Sequence, residues 1–520
     1  MKKIVCMLTL LLLNAFLFAQ EVDLKWATEE KVAGKSASPE FLGIRNEKIY
    51  VIKSENVKKA NSYYIDVYDA ASLEEGEKID FAKALPKDIA DNELYNVYLL
   101  DTKLIIITTT KNKELLATSL DLDGKVLKGK ITLDRVDGKD KEFEGFEVRV
   151  SPDRSKILGF RKAKGKVKKT IAFNFSLYDQ ELKRLNEKKT ELPYEDENFK
   201  FGTISVDNKG DVFGVAVIKI EGKRKKFDTQ KAVLMNLDLS KSKPEINEVN
   251  LPFEKRIASS MSFMMDDSKI TVAGMYANNK DAEFLEGIFY IELNKTNFEV
   301  LQSNYEKFKP GMQTRKINSN KMDNNVGFGY DLKDIHVNSK GEKFLTFENT
   351  LIAFQSSKNG TSKYVILTDI IVAKLSETNK LQWNSIINKN QVLRIPYTST
   401  VGMGAISITV SVYKFYKKFE DLLSYTVLYK NDDMYFLFND NNKNEKTKNT
   451  DKPFNSFKKA YSALVKLDMD KGKWEKKTIF STKEMGRMIT PNNSVQISDN
   501  KILTFSYYKK GSSIGYLTIE

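Results

Sequence analysis

One segment of the sequence matches a hydrolase motif. Gly511-Ser-Ser-Ile-Gly515 fits the pattern G-x-S-x-G, in which the central serine is a nucleophile. In α/β-hydrolases this serine lies on a strand-to-helix turn, and the histidine of the triad follows it in the sequence. Ser513 instead lies between two alternating segments near residue 520, and no histidine follows it. We therefore predict a β-hairpin here and assign no catalytic residue.

His336 is the only histidine, so any triad, proton relay or metal site built on imidazole would depend on it alone. Catalytic zinc usually has a further histidine or cysteine ligand. The only cysteine, Cys6, lies in an N-terminal apolar run of the kind that is removed on export. We therefore predict no disulfide bond, no metal site and no cofactor, and we interpret His336 as a strand residue that borders a core or a channel.

Paired aspartates are a third possible source of chemistry, because two carboxylates at a suitable separation can cleave a glycosidic bond. Asp266-Asp267, Asp432-Asp433 and Asp121 all lie between alternating apolar segments. Aspartate is favoured at such positions because its side chain accepts hydrogen bonds from the backbone of a turn. We interpret these residues as turn residues. The alternative is a polysaccharide-active enzyme with paired carboxylates in a central funnel.

A set of cationic and aromatic residues could contact an anion or a glycan. The candidate ligand-binding residues are Arg315, Lys316, Lys321, Tyr330, His336, Arg394 and Tyr397. Most of them fall in insertions, which we place at about 305–330, 390–420 and 439–457. Loops on a rigid scaffold often carry binding functions. We therefore predict a binding surface rather than a catalytic centre.

The elements that must position these residues are β-strands. Alternating apolar residues bounded by Asp, Asn, Ser and Gly recur along the chain, and helical periodicity is nearly absent. One type of hairpin turn appears eight times, first at Arg45-Asn-Glu-Lys-Ile49 and last at Asp499-Asn-Lys-Ile502. The first five turns are 53 to 58 residues apart, and the later spacings are longer. This period is typical of a four-stranded propeller blade.

The two ends of the chain complement each other. The segment Ile514 to Ile519 is the third strand of an eighth unit, and no fourth strand follows it. Val22-Asp-Leu-Lys-Trp26 is an alternating segment without a partner in the first unit. We therefore predict an all-β fold: one propeller domain over residues 20–520, with eight four-stranded blades closed by this N-terminal strand. Seven blades are the alternative, and Trp26, Trp383 and Trp474 are predicted packing residues on outer strands.

The N-terminus indicates export. Lys2 and Lys3 precede an apolar run from Ile4 to Phe18, and the small residue Ala19 follows. This order is typical of a cleavable signal peptide over residues 1–19, and the run is too short to span a bilayer. Cys6 lies inside the run, where it cannot become the lipidated first residue of a lipoprotein. We predict a soluble periplasmic or extracellular protein.

The charge of the chain does not indicate a nucleic-acid partner. Loss of Lys2 and Lys3 with the signal peptide lowers the formal net charge from +14 to +12. Lysine and acidic residues are mixed along the whole chain, so no concentrated basic stripe is present. We predict a monomer that binds no nucleic acid.

Two segments resemble a group of known proteins. Asp369-Ile-Ile-Val-Ala-Lys-Leu-Ser-Glu-Thr-Asn-Lys-Leu-Gln-Trp383 and Tyr435-Phe-Leu-Phe-Asn-Asp440 are similar to uncharacterised secreted β-propeller proteins of Gram-negative bacteria. The resemblance covers mostly the C-terminal third. It implies a secreted propeller and assigns no catalytic residue. Together with the residue patterns, it favours a non-enzymatic binding or scaffolding protein whose partner is an envelope protein or a glycan.

Overall fold

The computed structural model describes most of the chain. The described residues are 22–27, 39–54, 59–136, 143–165, 170–221, 227–239, 245–278, 283–310, 312, 314–315, 322–323, 329–357, 360–397, 421–445, 452–508 and 511–520. The predicted signal peptide lies outside them, as do Lys316 and Lys321. Among the described residues, no helix has the length and apolar character needed to cross a bilayer.

The strands form eight blades, each an antiparallel sheet whose strands follow one another in sequence. Strand β1 is Val22–Trp26. The strands of blade 1 are β2 (Glu40–Arg45), β3 (Lys48–Ser54), β4 (Tyr63–Asp69) and β5 (Glu75–Asp80). Those of blade 2 are β6 (Glu93–Leu99), β7 (Lys103–Thr109), β8 (Glu114–Asp121) and β9 (Val126–Arg135). Those of blade 3 are β10 (Glu147–Val150), β11 (Lys156–Lys164), β12 (Thr170–Asp179) and β13 (Arg184–Glu195). Those of blade 4 are β14 (Phe199–Val206), β15 (Val212–Glu221), β16 (Phe227–Asp238) and β17 (Glu245–Asn250).

The second half of the ring has longer strands and one small additional hairpin. The strands of blade 5 are β18 (Ile257–Met265), β19 (Lys269–Ala277), β20 (Gly287–Asn294) and β21 (Val300–Lys307). The additional hairpin is β22 (Thr314–Arg315) and β23 (Met322–Asp323). Those of blade 6 are β24 (Tyr330–Val337), β25 (Lys343–Ser357), β26 (Gly360–Leu375) and β27 (Leu381–Tyr397). Those of blade 7 are β28 (Thr426–Lys430), β29 (Asp433–Asn441), β30 (Ala460–Asp468) and β31 (Trp474–Ser481). Those of blade 8 are β32 (Arg487–Ile489), β33 (Val495–Ser498), β34 (Lys501–Tyr508) and β35 (Gly511–Ile519).

Short helices occupy connections between strands. Three α-helical turns are α1 (Phe81–Ala84), α2 (Lys87–Ala90) and α3 (Thr482–Met485). The single 3₁₀ turns in the described residues are Ala60–Ser62, Asp196–Asn198, Asn442–Asn444, Phe457–Lys459 and Pro491–Asn493. All of these are too short to form a layer of their own, so the architecture is all-β, as predicted.

Ring closure follows the prediction for the N-terminal strand. Strand β1 pairs antiparallel with β35, with Val22 opposite Ile519 and Trp26 opposite Gly515. Blade 8 therefore takes its outermost strand from β1, which confirms eight blades and excludes seven. One detail differs from a plain four-stranded blade: β32 and β33 are both short and both pair with β34, so they share the innermost position.

Apolar side chains fill the spaces between neighbouring blades. The described residues form one buried cluster at each of the eight blade interfaces. At the closure of the ring, Ile49 and Val51 of blade 1 pack with Leu503 and Phe505 of blade 8. Each sheet thus buries both faces, which is why the strands are rich in apolar residues on both sides.

The predicted roles of the aspartate turns and the tryptophans agree with the contacts. Asp266 Oδ1 accepts hydrogen bonds from the backbone N–H groups of Ser268 (2.7 Å) and Lys269 (2.8 Å). The indole of Trp383 donates to the carbonyl of Asp470 at 3.1 Å, and that of Trp474 donates to the carbonyl of Ile386 at 2.8 Å. These indoles tie the outer strands of blades 6 and 7 together.

The serine of the G-x-S-x-G segment has a structural role. Ser513 is 3% exposed in strand β35, and its hydroxyl donates to the carbonyl of Ala27 at 3.0 Å. It therefore helps to hold the N-terminal strand against blade 8.

The ring has two faces that differ in their connections. In a four-stranded meander, the first and third turns lie at one edge and the second turn and the link to the next blade lie at the other. We call the face of the ring with the first and third turns the turn face. The face with the second turn and the link to the next blade is the loop face. On the turn face the Nε of Arg45 lies 3.0 Å from Oδ1 of Asp101, and the Nζ of Lys295 lies 2.9 Å from Oδ2 of Asp207. The predicted insertions link β21 to β24, β27 to β28, and β29 to β30, so the strand ends that flank all three lie on the loop face.

Blade 6 extends beyond the ring on the loop face. We call residues 349–357, 360–368 and 388–397 the blade 6 extension. A ninth apolar cluster in the described residues joins Leu393 and Ile395 of this extension to Leu422, Leu423 and Phe454 of blade 7. Backbone hydrogen bonds reinforce it, from Val392 N to Phe454 O (3.0 Å) and from Phe454 N to Asn390 O (2.8 Å).

The predicted insertion boundaries include regular structure. Strand β27 continues to Tyr397, β21 reaches Lys307, and β29 reaches Asn441. Tyr305 packs against the cluster between blades 4 and 5 and is therefore part of the ring.

Candidate functional site between blades 6 and 7

A buried ion pair lies where the blade 6 extension meets the ring. Glu348 on β25 and Lys389 on β27 are 1% and 0% exposed, and Oε1 of the glutamate lies 2.7 Å from Nζ of the lysine. Removing two charges from water costs several kcal/mol per ion, which their mutual attraction offsets only with further hydrogen bonds. The hydroxyl of Ser424 supplies one by donating to Glu348 Oε2 at 2.8 Å.

Gln391 extends this network into blade 7. Lys389 Nζ donates to Gln391 Oε1 at 3.0 Å, and the backbone N–H of Ser424 donates to the same oxygen at 2.7 Å. The amide nitrogen of Gln391 donates to the carbonyl of Asn439 at 2.9 Å. One side chain thus links the last strand of blade 6, the segment that leads into blade 7, and β29.

Three further side chains continue the network toward the innermost strands. His336 and Asp334 lie on β24, and Tyr429 lies on β28 of the next blade. The rings of His336 and Tyr429 stack with centroids 3.7 Å apart and planes 10° apart. The hydroxyl of Tyr429 donates to Asp334 Oδ2. Lys333 Nζ lies 3.7 Å from Glu348 Oε2 and connects this group to the buried pair.

We call this set the blade 6–7 cluster. Its members are Lys333, Asp334, His336, Glu348, Lys389, Gln391, Ser424, Tyr425 and Tyr429.

Burial sets the protonation of the cluster. Desolvation lowers the pKa of His336, and the nearby charge of Asp334 opposes that shift. Desolvation also lowers the pKa of Lys389, against the attraction of Glu348. The pKa values of Tyr425 and Tyr429 are raised well above the usual value, first by burial and then by neighbouring carboxylates. At neutral pH the cluster therefore offers a neutral imidazole and protonated phenols.

This arrangement is suited to holding the two blades together. Glu348 and Asp334 are both engaged by protein partners, through Lys389 and Ser424 in one case and Tyr429 in the other. The hydroxyl of Tyr425 is buried and has no hydrogen-bond partner among the described residues. Within those residues, no group of three or more His, Cys, Asp or Glu side chains has the spacing of a metal site.

The residues predicted from sequence fall in different places. His336 lies in the blade 6–7 cluster. Tyr330, at the start of the same strand, is 1% exposed and packs in the cluster between blades 5 and 6, so it contributes to the core rather than to a ligand surface. Arg394 is exposed on the blade 6 extension, where its Nε donates to the hydroxyl of Ser362 at 3.1 Å.

The other candidates are only partly described. Arg315 lies in strand β22 opposite Met322. Its side chain and that of Tyr397 are outside the described part of the structure, as are Lys316 and Lys321 in full. Their predicted role in binding stays a prediction.

Glu348, Lys389 and Tyr429 were not identified from the sequence. The available signal was a charged residue inside an otherwise apolar strand, as in Phe347-Glu-Asn-Thr-Leu351, since charged residues are rarely buried unless paired. The identity of the partner depends on the strand register, which the sequence does not reveal.

Comparisons with known proteins agree on the fold alone. No protein-family model matches the chain, and no curated protein matches it in sequence. Among solved structures, the Dos1 propeller is similar over 95% of this chain and 95% of its own, with 9% identity and a TM-score of 0.38. The WD40 domain of SCAP from fission yeast is similar over 96% of this chain and 98% of its own, with 8% identity and a TM-score of 0.35. The β-propeller domain of the Trilobed protease from Pyrococcus furiosus covers 70% of this chain and 94% of its own, with 9% identity and a TM-score of 0.31. The β-propeller fold itself is shown by the eight blades and their strand order.

Proposed function

We propose that this protein is an exported, non-enzymatic propeller that binds an envelope protein or glycan through its loop face at blades 5 to 7. Export rests on the signal-peptide pattern of residues 1–19 and on the resemblance to secreted propellers of Gram-negative bacteria. Recognition rests on the face that carries the blade 6 extension and the flanks of all three insertions.

The blade 6 extension is the observation that carries the proposal. It is seated on blade 7 by its own apolar cluster, by backbone hydrogen bonds to Phe454 and by the buried pair of Glu348 and Lys389. A surface held this firmly loses little conformational freedom when it binds a partner. It also presents Ile352 and Phe354, which are 53% and 64% exposed, and the cation Lys363 directly opposite Phe354 on β26. Exposed apolar residues beside a charged one are typical of recognition surfaces.

The experiment is capture from a solubilised envelope fraction on immobilised protein. We expect wild type to retain a specific component, and the double variant Ile352→Ser with Phe354→Ser to lose most of it. Leu127→Ser is the matched control, because Leu127 is 55% exposed on β9 of blade 2, away from the extension. Protease or periodate treatment of the extract identifies the component as protein or glycan.

Two results would contradict the proposal. Equal capture by the double variant and the Leu127→Ser control would exclude the extension as the binding surface. Turnover of a polysaccharide panel, lost on substitution of a carboxylate to its amide, would replace binding with catalysis.

Export has its own test. The protein recovered from the periplasm or medium should begin at Gln20, as read by N-terminal sequencing. A mature form that retains residues 1–19 would contradict the signal-peptide assignment.

A further inference from the structure

A cavity of about 320 Å³ lies on the opposite part of the ring from the blade 6 extension. Its walls are the innermost strands β2, β6 and β10 of blades 1 to 3, together with the turn that follows β10. Phe41 and Pro152 give it apolar walls, and Asn96 and Tyr98 give it an amide and a phenol. Small-ligand sites have about this size and this mixture of apolar walls with a few polar groups.

A guanidinium marks the end of the cavity nearest the turn face. Arg154 has a left-handed backbone with φ of 60°, and its Nη1 donates to the carbonyl of Leu99. Because a guanidinium has five N–H donors, this one bond leaves others for a ligand. The nearby charges of Arg45 and Asp101 pair with each other at 3.0 Å, so the charge of Arg154 is not neutralised by a partner of its own.

A carboxylate marks the other end. Glu40 is exposed at the start of β2 and lines the same cavity. Its side chain has no ion pair or hydrogen bond with any residue that the structure describes. Gly43 lies opposite Leu99, so close that a Cβ on it would be 3.0 Å from Leu99 Cδ2. Glu40 begins β2 and Gly43 follows it along the strand, so the Glu40 end of the cavity lies on the loop-face side of the Arg154 contact.

We propose that this cavity binds a short zwitterionic peptide of about three residues, with the carboxylate on Arg154 and the ammonium group on Glu40. The two charged side chains line opposite ends of a cavity of about 320 Å³, and an extended chain of three residues, which spans about 10 Å, is of a size that such a cavity can hold. Asn96 and Tyr98 lie between the ends, where they can hydrogen-bond the peptide backbone. Opposite charges at opposite ends recognise a molecule by both of its termini and select its length.

Calorimetric titration of the full mature protein with tri-alanine tests this site. We expect saturable binding at concentrations up to about 10 mM, and a loss of about tenfold or more when either terminus is capped by acetylation or amidation. Glu40→Gln should weaken tri-alanine by a similar factor, yet leave acetylated tri-alanine unchanged, because that ligand has no ammonium group. Arg154→Lys should weaken tri-alanine and leave amidated tri-alanine unchanged.

Glu74→Gln is the matched control for Glu40→Gln. It removes an exposed carboxylate from blade 1, away from the cavity, and should bind tri-alanine as the wild type does. Thermal melting of each variant checks that the blades remain folded. No binding of tri-alanine, equal binding of capped and free peptides, or preference for an acidic disaccharide would each overturn the proposal. None of these outcomes bears on the loop face, so the two proposals fail separately.

Discussion

Blades 1 and 6 both bury an ion pair, but the two pairs join different parts of the structure. In blade 1, Lys53 and Asp66 lie on adjacent strands with their charged atoms 2.7 Å apart. In blade 6, Glu348 and Lys389 lie on strands separated by β26, and their partners include Ser424 and Gln391. The first pair stabilises one sheet. The second joins an extension, its own blade and the next blade, so its loss should be felt across the interface.

The largest effect is expected from breaking the blade 6 pair. Glu348→Leu leaves Lys389 buried without its carboxylate and should lower the free energy of unfolding by about 3–5 kcal/mol, measured by urea denaturation. The double variant Glu348→Leu with Lys389→Leu should recover most of the loss, because no buried charge remains. The exposed pair of Lys340 and Asp432 is the control, and Lys340→Leu should cost less than about 1 kcal/mol. Equal losses for the single and double variants would show that the pair is not coupled.

The next effect concerns the closure of the ring. A Cβ on Gly515 would lie 2.3 Å from the ring of Trp26 and 2.7 Å from the carbonyl of Lys25. Gly515→Ala should therefore push β1 away from blade 8 and cost about 1–3 kcal/mol, with faster hydrogen exchange at residues 22–26. At Gly129 a Cβ would meet nothing within 4 Å, so Gly129→Ala is the matched control. Unchanged exchange in Gly515→Ala would contradict the observed pairing.

A smaller effect is expected at an aspartate turn on the turn face. Burial would raise the pKa of Asp266, but hydrogen bonds from Ser268 and Lys269 hold it below its usual value. Asp266→Ala should cost about 1 kcal/mol at neutral pH. Because the folded-state pKa is the lower one, this contribution is present above the usual pKa and is lost as the pH falls through the folded value. Asp267→Ala, one residue along, should cost little, and equal losses in a urea titration would contradict the turn assignment.

The smallest effect is the titration of His336, which gives a single imidazole signal in proton NMR because the chain has one histidine. Burial lowers its pKa, so the midpoint should lie below 6.5. The folded state holds His336 neutral, whereas the unfolded chain binds a proton more readily. The free energy of unfolding is therefore unaffected by His336 above the unfolded pKa and decreases as the pH falls toward the folded pKa. Tyr429→Phe removes the phenol that donates to Asp334 and should raise the midpoint. A midpoint at or above 6.5 in the wild type would contradict the burial seen here.

The ring was predictable because its signals are local. Alternation defines each strand, the polar turns mark the period, and the unpaired Val22–Trp26 segment identified the closing strand. The blade 6 extension was not recognised because Arg394-Ile-Pro-Tyr397 reads as a loop. Proline is tolerated there because β27 is the edge strand of its sheet.

The blade 6–7 cluster was harder to predict from the sequence, because it depends on how the strands pair. The pairing of β25 with β26 shifts register after Glu348 because Asp369 is an extra residue on β26, and the pairing of β26 with β27 shifts at the same point. Such extra residues change which side chains of a strand face blade 7. A period of two counted along the sequence therefore cannot place Lys389 on the same face of the sheet as Glu348.

The pairing of β1 with β35 also affects the order of assembly. Strand β1 precedes the other described strands in the sequence and pairs with β35, so blade 8 is completed only after β35 has been synthesised. A nascent or clipped chain leaves the outer edge of β35 unpaired, with backbone groups ready to join another molecule. The pairing of β1 with β35 therefore covers a strand edge that a chain without β1 would expose.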